Sequence, residues 1–184
     1  MQISATALSK DGKILVVAET DVLYVWNFPY RAILSANSEP DVKQILFITG
    51  EKRFLTASHK NEPDTQPSIL VVCRNVPLGD VVYTFEFNIN KFLPVVITPD
   101  DHYVVGVGYD AAVKREHVRV YHLRKGVFLH KISLKYQNFK EIKDIVSFHL
   151  CYVALIDNEK ANVINCTEKK FSRSIKYWSG QMTR

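Results

Sequence analysis

Two groups of side chains in the 184-residue chain have types and spacing that could do chemistry. His59, Glu62 and Asp64 offer an imidazole and two carboxylates within one short span, the donors a zinc or calcium ion takes. Asp100, Asp101 and His102 set two carboxylates beside an imidazole, a combination used in general acid–base work when a shared cleft shifts the proton affinities. The local sequence offers a plainer account of each. Pro63 and Pro67 sit in the polar run from Lys60 to Ser68, which cannot continue a sheet ladder and reads as an exposed insertion. Pro99 precedes the second group, where Asp residues form a strand-to-strand turn. The chain has no nucleophile elbow, no HExxH segment and no dinucleotide glycine fingerprint. Gly12-Lys13 runs into Ile14 and lacks the earlier glycine of a phosphate-binding loop. The expectation is a protein without catalytic residues, cofactor or metal. A hydrolase whose groups converge from distant loops, with a metal in a channel, is the alternative.

Cysteines and basic residues pose the next questions. Cys73, Cys151 and Cys166 lie in apolar runs without C-x-x-C spacing, which suits buried reduced thiols in a cytoplasmic protein. A turn centred on Asn158 and Glu159 sets Cys151 opposite Cys166, so a cross-strand disulfide is conceivable only in an oxidising compartment. The formal net charge is +5. Lys114, Arg115, Arg119, Arg124 and Lys125 form one basic group; Lys169, Lys170, Arg173 and Lys176 form another. On one face they would meet phosphates, as a module for nucleic acid or an anionic membrane; spread around a rim they only keep the protein soluble. No basic-then-apolar leader opens the chain, and no run approaches the roughly 18 apolar residues of a membrane span.

The elements that must position these groups are short strands. The first unit reads as Ile3 to Leu8, Ile14 to Glu19, Val22 to Asn27 and Ala32 to Ser35, rich in Val, Ile, Leu, Tyr and Trp and bounded by turn residues. The second has strands at Val42 to Ile48, Arg53 to His59, Ile69 to Asn75 and Val81 to Phe87. The third has Leu93 to Thr98, Tyr103 to Tyr109, Val118 to His122 and Val127 to Leu134, with a polar excursion over Asp110 to His117. The fourth has Ile142 to Phe148, Tyr152 to Ile156, Ala161 to Cys166 and Phe171 to Ile175, and residues 177–184 look like the start of another unit. Tyr83, Phe85 and Phe87 alternate along one strand, as a stacking platform or as packing between neighbouring sheets. Aligning the ends of the third strands puts Trp26 with Cys73, Tyr121 and Ile164, at intervals of about 47, 48 and 43 residues, near the period of propeller repeats. The expected fold is all-β: a partial propeller of about four four-stranded blades over 1–38, 39–90, 91–138 and 139–176, its last part truncated.

Ser9-Lys10-Asp11-Gly12-Lys13, followed by Val25-Trp26-Asn27, resembles the WD-repeat family, whose blades carry an Asp-Gly turn and end a strand in Trp-Asp. Pro99-Asp100-Asp101 repeats the turn. The chain departs from that family in having Asn27 for the terminal Asp and no Gly-His before any first strand. With Phe92-Leu93-Pro94-Val95-Val96-Ile97 and Lys176-Tyr177-Trp178, it is most similar to the C-terminal propeller of NACHT and WD repeat domain-containing proteins. That resemblance implies a non-catalytic protein–protein interaction scaffold or sensor, with its partners being other proteins and the remaining blades of a longer chain. Nucleic acid and membrane are disfavoured partners. The contacts expected are Lys60, Glu62 and Asp64 in the insertion and Lys114, Arg115 and His117 in the excursion, since variable turns on rigid strands carry recognition.

Overall fold

The computed structural model describes residues 2–50, 52–134, 142–158, 160–168 and 170–176, the last segment as backbone apart from Ser172. Among the described residues sixteen strands form four antiparallel sheets, each ordered as the chain runs. Blade 1 holds β1 (Ile3–Leu8), β2 (Ile14–Glu19), β3 (Val22–Asn27) and β4 (Ala32–Ser38). Blade 2 holds β5 (Val42–Phe47), β6 (Arg53–Lys60), β7 (Ser68–Asn75) and β8 (Val81–Asn88). Blade 3 holds β9 (Val96–Ile97), β10 (Tyr103–Asp110), β11 (Arg115–His122) and β12 (Val127–Ser133). Blade 4 holds β13 (Asp144–His149), β14 (Tyr152–Ile156), β15 (Lys160–Asn165) and β16 (Lys170–Lys176). Residues 177–184, read above as the start of a further unit, lie outside the described residues.

Each sheet buries apolar residues against its neighbour because alternate side chains of a strand point to opposite faces. Val16, Leu23 and Val25 of blade 1 meet Val42, Ile45 and Phe54 of blade 2. Val71, Cys73, Phe85 and Phe87 of blade 2 meet Val104 and Tyr121 of blade 3. Val105, Val118 and Val120 of blade 3 meet Val153, Leu155 and Ile164 of blade 4. The first strands β1 and β5, and likewise β9 and β13, adjoin one another, so the sheets fan out from them. Phe85 stacks on Tyr121 with centroids 3.9 Å apart, and the Tyr83 hydroxyl donates to the Leu123 carbonyl. The alternating aromatics are therefore packing between blades.

Register adds a detail that corrects the sequence alignment. The pairing of the third and fourth strands shifts between Val25 and Trp26, Cys73 and Arg74, Val120 and Tyr121, and Val163 and Ile164. One bulge at one place in four blades is an architectural repeat. It aligns Trp26 with Arg74, one residue later than the apolar match to Cys73. In blade 2 this position carries a polar network. The Glu39 carboxylate accepts from the Arg74 Nε and a second guanidinium nitrogen, both at 2.9 Å, and from the Ser58 hydroxyl at 3.1 Å and the Thr56 hydroxyl. Arg74 also donates to the Gly79 carbonyl at 2.8 Å. All four side chains are buried, and their polar groups pair with one another as burial requires.

Candidate functional site

A four-stranded antiparallel blade sends its turns alternately to two ends. The second-to-third-strand turns, residues 61–67 in blade 2 and 111–114 in blade 3, emerge at the same end as the starts of β5 and β9. Those starts are tied together: the Gln44 amide donates to the Val95 carbonyl at 3.0 Å and accepts from its N–H at 2.9 Å. The flanking strands β6, β7, β10 and β11 each run eight residues with at least half of them buried, so the turns stand on long, well-anchored ladders.

In blade 2, Glu62 and Asp64 are exposed, and Lys60 Nζ lies 3.3 Å from Glu86 Oε2. The Ser68 hydroxyl, and after it Lys60, hold the Glu86 carboxyl below the usual carboxylate range against the opposing effect of burial. His59 points elsewhere, with Nδ1 3.7 Å from Asp41 Oδ2 and its ring 6.3 Å from that of Phe92. Among the described residues no three His, Cys, Asp or Glu side chains gather as a metal site would require. Asp100 belongs to a turn. Its Oδ1 accepts from the Thr98 hydroxyl at 2.5 Å and the His102 N–H at 3.1 Å, just as Asp11 accepts from the Ser9 hydroxyl at 2.7 Å and the Lys13 N–H at 3.2 Å. The same Ser/Thr-x-Asp closure thus recurs in blades 1 and 3.

In blade 3 the polar excursion is shorter than the sequence implied. β11 begins at Arg115, so Arg115, Glu116 and His117 are strand residues paired with β10, and only residues 111–114 form the turn. His117 is 4% exposed, which corrects its reading as a surface contact. Gly108 lies directly opposite it, where an added Cβ would come 2.9 Å from His117 Nε2 and 3.1 Å from Arg119 Nε. The missing side chain lets the ring and the guanidinium lie flat on β10. Arg119 Nε donates to His117 Nε2 at 2.9 Å, which fixes the ring proton on Nδ1. Desolvation, followed by the charges of Arg119 and Lys131, pushes the imidazole down to about 4. Lys131 Nζ lies 3.6 Å from Asp110 Oδ2. Desolvation tends to raise the Asp110 carboxyl, but the N–H groups of Val113 and Ala112, with Lys131, hold it below its ordinary value. Asp110, Arg115, Glu116, His117, Lys131 and Ser133 line an open cleft of about 510 Å³.

Sequence reasoning found Arg115 and His117 but missed Asp110 and Lys131 as their neighbours. Lys131 reaches them through the β11–β12 pairing of Arg119 with Lys131 and His117 with Ser133, which no local signal announces. The proposed basic face does not form as a unit. Arg124 and Lys125 occupy the turn after β11, a strand length of roughly 25 Å from Lys114 and Arg115. The side chains of Lys169, Lys170, Arg173 and Lys176 lie outside the described residues.

A family model for the NWD2 C-terminal β-propeller matches residues 2–184. The chain belongs to that family. No curated protein matches the chain significantly. Among solved structures this NWD2-type propeller is similar to Kuenenia stuttgartiensis hydrazine synthase, with a TM-score of 0.67 and 14% identity over 100% of this chain and 56% of that one. It is also similar to the WD40 domain of SCAP from fission yeast, with a TM-score of 0.62 and 14% identity over 96% of this chain and 42% of that one. The NWD2-type chain thus spans about half the length of the structures it matches, and at such identity the likeness concerns the fold alone.

Proposed function

We propose that this propeller is a non-catalytic interaction module, a scaffold or sensor element of a larger NACHT-associated protein. It receives a protein partner on the end that carries turns 61–67 and 111–114. The observation supporting this is the mounting of two polar turns, acidic on blade 2 and basic on blade 3, at one end of adjacent rigid sheets. Exposed loops on a fixed scaffold are where recognition concentrates. Glu62, Asp64, Lys114 and Arg115 are the contacts in this reading, with Lys60 braced against Glu86.

The test is partner capture by cross-linking in cells, comparing the wild-type sequence with Glu62→Lys/Asp64→Lys and with Lys114→Glu/Arg115→Glu. Each pair should lose most of the captured protein while the far-ultraviolet dichroism stays that of a β-sheet protein. Lys10→Glu/Lys52→Glu, in turns at the opposite end, should leave capture intact. Loss with the opposite-end pair alone would move the contact surface and end this reading.

A further inference from the structure

The cleft on blade 3 has features that packing alone does not require. It opens at the partner-facing end, on the side of the sheet turned toward blade 2, where Gly106 meets Phe87. Three cations border it: Arg115 at the start of β11, and Arg119 and Lys131 paired across β11 and β12, with Arg119 bonded to the lining residue His117. Asp110 shares their face of the sheet, Glu116 also lines the cleft but alternates to the other face of β11, and even with both carboxylates counted the cluster is net positive. The Asp110 carboxylate already accepts the N–H of Ala112 at 3.1 Å and lies beside Lys131. The Arg115 guanidinium is exposed and has no carboxylate partner among the described residues.

Arg119 is held in place before any ligand arrives. Its Nε is committed to His117, and its guanidinium lies 5.8 Å from the Phe128 ring centroid. A guanidinium ordered by its surroundings loses little freedom on binding, which favours planar anions such as carboxylate and the oxygens of phosphate. The neutral His117 ring, with both nitrogens engaged, spaces the cations without adding to their charge.

We propose that this cleft binds an anionic side chain, phosphoseryl or glutamyl, on a peptide segment of the protein partner, with Arg115 and Lys131 making the charged contacts and Arg119 setting the field behind them. The proposal rests on the interaction reading above and identifies the chemistry its partner must carry.

The test uses the 184-residue chain and three probes: the blocked single residues N-acetyl-phosphoserine amide, N-acetyl-glutamate amide and N-acetyl-serine amide. Nitrogen–proton correlation spectra should show saturable shifts at the Arg119 Nε–H and the Ser133 amide with phosphoserine or glutamate but not with serine. The tighter of the two identifies the source of the anion. Arg115→Gln and Lys131→Gln should each weaken binding by about tenfold, the size expected for one charge-assisted hydrogen bond. Lys10→Gln and Lys52→Gln should change nothing. Shifts that fail to saturate, or that are equal for all three probes or equally sensitive to Lys10 and Lys52, overturn the proposal. So does a single-stranded oligonucleotide that binds more tightly than either anion through both ends of the blades. Because no partner protein enters this titration, its failure is separate from failure of the capture experiment.

Discussion

Acidification should weaken the fold through His117, and the size of the effect follows from its surroundings. In the unfolded chain a histidine titrates near 6.5, whereas in the folded protein desolvation and the charges of Arg119 and Lys131 push His117 down to about 4. Asp110 and the backbone carbonyl of Arg115 oppose this only in part. Between those two values the unfolded state holds the extra proton and the folded state refuses it. The stability associated with the neutral ring is therefore complete above pH 6.5 and is lost as the pH falls toward 4. At ~1.4 kcal/mol per pH unit, and with the ring bordering an open cleft that admits some solvent, the loss is about 2 to 3 kcal/mol. Urea unfolding from pH 4 to 7.5 should show this loss in the wild-type chain and not in His117→Gln, whose carboxamide still offers Arg119 an acceptor. Carboxylates titrating below pH 5 contribute to both curves and cancel in the difference. Lys131→Met should raise the midpoint of the His117 ring followed by nuclear magnetic resonance. A wild-type ring titrating near 6.5, or parallel pH profiles for the two proteins, would refute the reasoning.

Three further outcomes follow from the packing. Arg74→Leu, which leaves Glu39 charged and buried, should cost about 3 to 5 kcal/mol in urea unfolding, whereas Glu39→Leu/Arg74→Met together should cost far less, since both desolvated charges are then gone. Gly106→Ala puts a Cβ 2.6 Å from Phe87 Cζ and 3.2 Å from Val95 Cγ1, so about 1 to 3 kcal/mol of stability should be lost, with Phe87→Leu restoring part of it. Maleimide at pH 8 should label Cys151 well before Cys166, whose thiol burial pushes up to about 12; mass spectrometry showing Cys166 modified first would contradict its placement.

The repeat was legible because its signals are local. Strand runs of Val, Ile and Tyr broken by Ser9-Lys10-Asp11-Gly12 or Thr98-Pro99-Asp100-Asp101 report directly on strand and turn, and both turns close through the same hydrogen bonds. Strand ends were less legible. Arg115 to His117 looked like loop because an Arg-Glu-His run is polar, yet its pairing with Gly108 to Asp110 and with β12 makes it sheet. At the other extreme, Leu93 to Thr98 looked like a full strand, but only Val96–Ile97 joins the ladder. The alignment slipped at Arg74 for a related reason: apolar matching favoured Cys73, while the bulge that sets the true register is a backbone feature with no residue signature. The blade 3 cleft was half visible, since Arg115, Glu116 and His117 are consecutive in sequence whereas Lys131 and Ser133 arrive by cross-strand pairing.

The same register explains how a chain that departs from the family's terminal Trp-Asp still builds the family's blades. The bulged position of the third strand turns toward the preceding sheet: Arg74 sits in blade 2 on the side of Phe54, which faces blade 1, and Tyr121 and Ile164 sit in the clusters shared with blades 2 and 3. A tryptophan at that position would fill space and offer one donor. Arg74 offers several, and Glu39, reaching in from the connection between blades 1 and 2, satisfies them together with Thr56 and Ser58. Tyr121 fills the position by stacking on Phe85, and Ile164 by aliphatic contact. Three chemistries hold one geometry because the joint between sheets needs volume and satisfied polar groups, and no particular side chain. In blade 1 the same face carries Leu15, Val17, Tyr24 and Trp26, half-buried, beside Leu8 and Ile33, which are exposed. By the rule that governs the other three blades, that row has the composition of a surface for another sheet, with Trp26 at the bulged position and the polar Asn27 ending the strand. Across the four blades the joints are thus loose in side-chain identity and strict in register, and the turns at either end lie outside that constraint.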